Sequence, residues 1–101
     1  MMGDTFVNKV RVIEVGPRDG FQNICDFIPT EIKLEAIDRL VQAGVKDIMV
    51  TSFVSPKAIP QMADAQEVTR YFLEKYPDRC FNALIPNLRG AQTAVDCGLR
   101  E

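Results

Sequence analysis

Histidine is missing from all 101 residues, and that absence excludes more than any residue present. No Ser–His or Cys–His couple can form, and no imidazole can hold a metal. A metal site built here must use oxygen ligands or residues supplied from outside this chain. Positive charge is not in excess either: 12 Lys and Arg stand against 14 Asp and Glu, for a net charge of -2. The chain therefore lacks the basic footprint of a nucleic-acid binder, and no nucleic-acid partner is expected. No apolar run approaches the roughly 18 residues needed to span a bilayer, so no membrane partner is expected. The stretch Met1–Val7 has neither a signal-peptide core nor an arginine-rich transit pattern, which makes a cytoplasmic location the expectation. Cysteine is sparse and odd in number, with Cys25, Cys80 and Cys97 at no metal-ligand spacing. Free thiols suit a reducing compartment. Cys80 and Cys97 fall in a strand and a helix segment and read as small buried hydrophobes, whereas no neighbour in sequence activates Cys25.

What is present is the composition of an ordinary globular chain, 47% hydrophobic and 26% charged. Its patterning alternates between strand and helix. The run 9–15 reads as a first strand. A helix over 30–43 follows, with Thr30 as N-cap behind Pro29, Leu34, Ile37, Leu40 and Val41 at helical spacing, and Gly44 as the residue that ends it. The stretch 45–53 is a second strand, rich in β-branched residues. After a loop holding Pro56 and Pro60, Asp64 and Glu67 resemble a capping box. They open a helix over 64–75 with Ala65, Val68, Phe72 and Leu73 on one side. Residues 79–85 make a third strand. A third helix over 88–97 places Leu88, Ala91 and Val95 on its buried side and stops at Gly98.

Strand and helix alternating at a period of about 35 residues argue for βα units and a parallel sheet. Parallel strands put their C-terminal ends on one edge. The loops beginning at Gly16, Ser55 and Pro86 then converge on the face that carries function in α/β folds. Three such units fall well short of the about 250 residues of an eight-stranded barrel, so the chain reads as the first part of something longer.

The most informative loop is Val15-Gly16-Pro17-Arg18-Asp19-Gly20-Phe21-Gln22-Asn23. It gathers an arginine, a carboxylate and two amides directly after an apolar run. Two readings stand side by side. Pro-Arg-Asp-Gly is a good turn sequence in its own right, since proline presets φ and glycine accepts positive φ. The same cluster at a strand end is also a usual way to present reactive groups.

Residues 12–23, from Val12-Ile13-Glu14-Val15 to Gln22-Asn23, resemble the opening motif of the hydroxymethylglutaryl-CoA lyases. Thr51-Ser52-Phe53-Val54-Ser55-Pro56-Lys57-Ala58-Ile59-Pro60-Gln61-Met62-Ala63-Asp64 resembles their second motif, and Leu84-Ile85-Pro86-Asn87-Leu88-Arg89-Gly90 a third, in the same order. Related condensing synthases and carboxyltransferase domains have Thr-Leu where this chain has Gly16-Pro17, which favours the lyase branch. The resemblance implies a (β/α)8 barrel of which residues 1–101 supply the first three units.

It also implies a reaction, the retro-Claisen cleavage of a 3-hydroxy-3-methylglutaryl thioester to acetyl-CoA and acetoacetate. The partner is then an acyl-CoA and the cofactor a divalent cation, Mg²⁺ or Mn²⁺. The full-length protein would have a second copy of itself as a further partner. Asp19 matches the family's carboxylate metal ligand, and Arg18 the catalytic arginine facing the thioester carbonyl. Gln22 reads as an amide that binds the substrate or supports the residues that do, and Asn23 either joins it or closes the loop on its own backbone. Ser52 and Lys57 can face the barrel mouth, although a loop lysine is also well served by solvent. Met49 stands where the family has a glutamate, and Ala58 where it often has a tryptophan; either change points toward another acyl-CoA. The family's histidine ligands, further asparagine ligand and flap cysteine have no counterpart here. The isolated chain is therefore expected to be inactive, and a non-catalytic, partner-binding remnant is the alternative from another class.

Overall fold

The computed structural model describes residues 10–100. Its elements are α1 (Gly16–Gln22), α2 (Thr30–Gln42), β1 (Asp47–Ser52), a 3₁₀ turn (Pro60–Met62), α3 (Ala65–Lys75), β2 (Cys80–Leu84) and α4 (Leu88–Asp96). β1 and β2 pair in parallel, Asp47 opposite Cys80 and Ser52 opposite Leu84, with a register shift between Met49 and Thr51. The class is α/β, as the alternation of patterns implies. The expected helices and the second and third strands are present, with ends displaced by no more than two residues.

Among the described residues the first expected strand is reduced to one ladder bridge. Glu14 bridges Ile48 in parallel, through Glu14 N–H to Asp47 O at 2.9 Å and Met49 N–H to Glu14 O at 2.9 Å. The start of that strand, at Lys9, lies outside the described residues. Val10 and Val12 are about three-quarters exposed. Their apolar faces meet no covering layer among the described residues, so the stretch is held by that bridge and by the Arg11–Asp47 ion pair at 2.6 Å.

The loop that follows is also more ordered than a turn: α1 is a seven-residue helix. Pro17 sits in its first turn, where a missing N–H costs nothing, and Asp19 places a negative charge near the positive end of the helix. The Glu14 carboxylate accepts from the Gly16 N–H at 3.0 Å and satisfies another free donor.

One core cluster gathers Ile37 and Val41 of α2, Ile48 and Val50 of β1, Val68 and Phe72 of α3 and Phe81 of β2. The second gathers Phe53, Ala65, Ala94, Cys97 and Leu99. Residues alternate along a strand, so Ile48 and Phe81 face the helices while Met49 and its cross-strand partner Asn82 face the opposite side.

Helix α2 ends as its sequence implies. Gly44 takes φ +97°, with Val45 N–H to Leu40 O at 3.1 Å and Gly44 N–H to Val41 O at 3.0 Å. This is the Schellman pattern. Gly98 repeats it after α4 at φ +94°.

Helix α4 is turned from its expected face. Leu88 and Val95 are exposed, whereas Gly90 and Ala94 are buried. The cause is Gly90, where a Cβ would stand 2.5 Å from the Phe53 carbonyl oxygen. The helix approaches the backbone so closely that only its small residues fit beneath it. Cys97 is buried as expected, but Cys80 is exposed, because it starts β2 on the side away from the helices.

At the other end of the sheet, α2 and α3 are latched by Asp38. It accepts from Lys75 Nζ at 3.0 Å and from the Tyr76 hydroxyl. The Tyr76 hydrogen bond and then Lys75 hold the Asp38 carboxyl below its ordinary range. The same contact holds the Tyr76 hydroxyl and the Lys75 ammonium above theirs. A lowered acid stabilises the fold above its unfolded pKa, and that contribution disappears as pH falls through the folded value. Raised Tyr and Lys groups stabilise below their unfolded values, and their contribution disappears as pH rises through the folded ones. The stability lost in Asp38→Asn should therefore be greatest between about pH 5 and 9 and shrink toward both extremes. Urea midpoints of both proteins across pH check this, and a gap independent of pH would contradict it.

Candidate active site

The bridge at Glu14 sets the position of α1. Because Glu14 pairs near the start of β1, the helix that begins two residues later lies beside the C-terminal half of that strand and packs against it. Arg18, Asp19, Gln22 and Asn23 all belong to this helix or its cap.

Arg18 is half-buried, and its Nε is fully covered without a hydrogen-bond partner among the described residues. Its Nη1 lies 3.6 Å from Asp19 Oδ1, too far for a good hydrogen bond. Gln22 carries the complementary feature, a buried Oε1 without a partner. Buried polar atoms left unpaired cost about 1–3 kcal/mol each, so such atoms call for an explanation.

Asn23 does close the loop on its own backbone, donating from Nδ2 to Asp19 O at 2.8 Å, and the same group reaches Asp19 Oδ1 at 3.1 Å. The Asp19 side chain is 57% exposed, and its second oxygen has no hydrogen bond among the described residues. One open carboxylate oxygen beside an amide-anchored one suits a single bond to a hard cation. The fit goes no further: among the described residues no three His, Cys, Asp or Glu side chains converge. Asp19 can be one ligand, and the rest of a coordination sphere would have to come from other residues.

Ser52 is fully buried at the C-terminal end of β1, and its Oγ has no partner. Lys57 is not gathered with the α1 group. It lines a cavity of about 590 Å³, open between the loop after β1 and the start of α4, together with Phe53, Met62, Asn87 and Arg89. None of Arg18, Asp19, Gln22 and Asn23 lines that cavity.

A second cluster escaped the sequence reading. Lys33 is 2% exposed and pairs with Asp64 at 2.8 Å, whose other oxygen accepts from Thr30 Oγ1 at 2.7 Å. Thr30 is the first residue of α2 rather than its N-cap, and Asp64 stands at the N-cap of α3 without capping it. Both expected caps have turned their side chains toward each other's element. The signal for Lys33 was in the spacing: Lys33, Ile37 and Val41 fall four apart on one buried stripe.

The described fold and site define a class: a parallel α/β chain that carries a cation, a carboxylate and two amides at the C-terminal edge of its sheet, where α/β enzymes place their chemistry. No protein-family model matches the chain. By sequence it is similar to the hydroxymethylglutaryl-CoA lyases. It is 47% identical over 97% of its length to the mitochondrial hydroxymethylglutaryl-CoA lyase of Macaca fascicularis. It is 50% identical over 91% to the cytoplasmic 3-hydroxy-3-methylglutaryl-CoA lyase of Mus musculus. The structural likeness agrees. The hydroxymethylglutaryl-CoA lyase of Pseudomonas aeruginosa matches 90% of the chain with a TM-score of 0.80 at 45% identity. The HMG-CoA lyase of Acinetobacter baumannii, solved in complex with coenzyme A and 3-methylmalate, matches 92% with a TM-score of 0.79 at 41% identity. The chain spans about 30% of the length of these relatives, 30% of the macaque protein and 26% of the mouse one.

Proposed function

We propose that the chain supplies the first three βα units of a (β/α)8 barrel and one edge of a metal-dependent carbon–carbon lyase acting on a 3-hydroxy-3-methylglutaryl-CoA-like thioester. The observation that carries this reading is the likeness to such lyases over nearly the whole chain, with Arg18 and Asp19 on the short helix that follows the first strand position. The overall reaction moves one proton and breaks one bond. The tertiary hydroxyl loses its proton, the adjacent C–C bond breaks to leave acetoacetate, and the departing thioester enolate takes a proton at carbon to become acetyl-CoA.

Arg18 stands over the thioester carbonyl in this reading. Its fixed charge and forked donors, one of them unpaired, stabilise the oxygen that gains charge as the bond breaks. Asp19 would hold the divalent cation, Mg²⁺ or Mn²⁺, through its open oxygen, and a bound cation would supply polarisation of the substrate hydroxyl and carboxylate. Gln22 accepts from the substrate with its unpaired Oε1, and the buried Ser52 hydroxyl lies at the C-terminal end of β1. Asn23 orients Asp19. Lys57, in its separate cavity, meets an anionic part of the acyl-CoA distant from the reacting bond. A cytoplasmic location belongs to the same proposal, in keeping with one relative of that name.

Met49 favours a shifted substrate. It faces the side of the sheet away from the helices, beside Asn82, whose buried Oδ1 has no partner. The full-length protein incubated with hydroxymethylglutaryl-CoA and Mg²⁺ should release acetyl-CoA and acetoacetate in equal amounts, and the isolated 101-residue chain should release neither. A Met49→Glu variant that turns over this thioester faster than the parent would place the parent's specificity elsewhere. Full-length protein inert toward every acyl-CoA tried, with or without Mg²⁺, would remove the reading.

A further inference from the structure

Lys33 and Asp64 are an expensive pair to bury. Their side chains are 3% and 7% exposed, and withdrawing each ion from water costs several kcal/mol that mutual attraction only partly returns. Apolar residues of the same volume often serve stability as well or better. The helix starts bear a further cost. Asp64 stands at the N-cap of α3 yet caps nothing, and Pro29, at the N-cap of α2, has no polar side chain to do so. An arrangement that gives up stability at several points at once is better explained by what it holds in place.

It holds the segment just after α1. Lys33 Nζ donates to Asp64 Oδ1 at 2.8 Å and to the Gln61 carbonyl at 2.5 Å. It also lies 4.6 Å from the centre of the Phe27 ring, within cation–π range. Gln61 Nε2 in turn donates to the Ile24 carbonyl at 2.7 Å. Ile24 is bonded to Asn23, whose side chain grips Asp19 at two points. A continuous path thus runs from the buried ion pair to the Asp19 carboxylate. A seven-residue helix needs such support, since isolated helices shorter than about 12–15 residues are marginal in water.

We propose that the buried Lys33–Asp64 pair is a positioning element: through Gln61, Phe27 and Ile24 it fixes the cap of α1 and so the direction of the Asp19 carboxylate. Lys33 and Asp64 touch no reacting atom in this account. They set where one lies. The link to catalysis rests on the reading of Asp19 above, but the tether does not.

The test is amide hydrogen exchange in the full-length protein without substrate or metal. The probes are the Asp19 and Asn23 amides, which close α1 onto Val15 O and Asp19 O, compared with amides in the middle of α2 and α3. Two variants are used. Lys33→Met with Asp64→Leu removes both charges and keeps apolar volume; Gln61→Ala, at a half-buried site, cuts only the Ile24 tether. Both should speed exchange at Asp19 and Asn23 by about tenfold or more and leave α2 and α3 protected. Unchanged exchange at Asp19 and Asn23 in Gln61→Ala would overturn the proposal, as would equal loss of protection in all three helices. If the double variant does not fold, Gln61→Ala alone decides. Loosened α1 with undiminished lyase turnover would support the tether and count against Asp19 as the metal ligand.

Discussion

Arg18→Gln in the full-length protein is expected to lower lyase kcat about 10²–10³-fold, the usual cost of removing one donor aimed at a developing oxyanion. Folding should hardly register the change. The nearest carboxylate, Asp19, is 3.6 Å away and mostly exposed, and ion pairs of that kind contribute about 0–1 kcal/mol. The side chain instead keeps a covered Nε without a partner, which stabilises nothing in the resting protein. An arginine that serves the fold poorly and has a donor to spare is suited to an oxygen that carries charge only during reaction. Arg18→Lys sharpens the test. It keeps the charge and loses the fork, so a direct role requires that it too fall well below the parent. Acetyl-CoA release measured beside the urea midpoint separates the two effects. A kcat within threefold of the parent, or a loss matched by unfolding, would refute the assignment.

Phe72→Ala is expected to destabilise the protein by about 3–5 kcal/mol, the range for removing a large aromatic from a packed core. Phe72 is fully buried where α2, α3 and both strands meet. Its ring centre lies 5.5 Å from that of Phe81 and 4.9 Å from that of Tyr71, the latter edge-on. Its buried neighbours Ile37, Val41, Ile48, Val50, Val68 and Phe81 all belong to regular elements, which cannot collapse into the space as a loop would. A loss of that size is a large part of the total stability of most domains. A shift in the urea midpoint equivalent to less than about 1 kcal/mol would mean the core repacks around the vacancy.

The elements most faithful to their patterns are those whose faces are set by one dominant partner. Ile37 and Val41 on α2, and Val68 and Phe72 on α3, recur at helical spacing and point into one core. Gly44 ends α2 because only a residue free to adopt positive φ completes its Schellman turn. The departures have a common origin in contacts between segments far apart in sequence. Leu88 and Val95 make an apolar stripe, yet α4 buries Gly90 and Ala94, because the Phe53 carbonyl leaves no space for a larger side chain. Thr30 and Asp64 are good caps by type, yet each serves the other's helix start, because α2 and the loop before α3 meet across 34 residues of chain. The first strand reads as an apolar run, yet among the described residues it pairs only at Glu14.

The group from Val15 to Asn23 was legible as chemistry before it was legible as structure. Residue types alone made Arg18 the cation, Asp19 the carboxylate and Gln22 and Asn23 the amides of the candidate site, and the missing histidines showed that any metal sphere must use oxygen ligands or residues from outside this chain. These conclusions depend on composition and local order, which no folding alters. The fold decided which groups remain available. It turned the segment into a helix against β1, left Arg18 Nε and Gln22 Oε1 covered and unpaired, and tied Asn23 to Asp19. It set Lys57 in a different cavity and linked the cap of α1 to the buried Lys33–Asp64 pair. Sequence determines what a side chain can do; burial and its neighbours, which come from distant segments, determine whether it is free to do it.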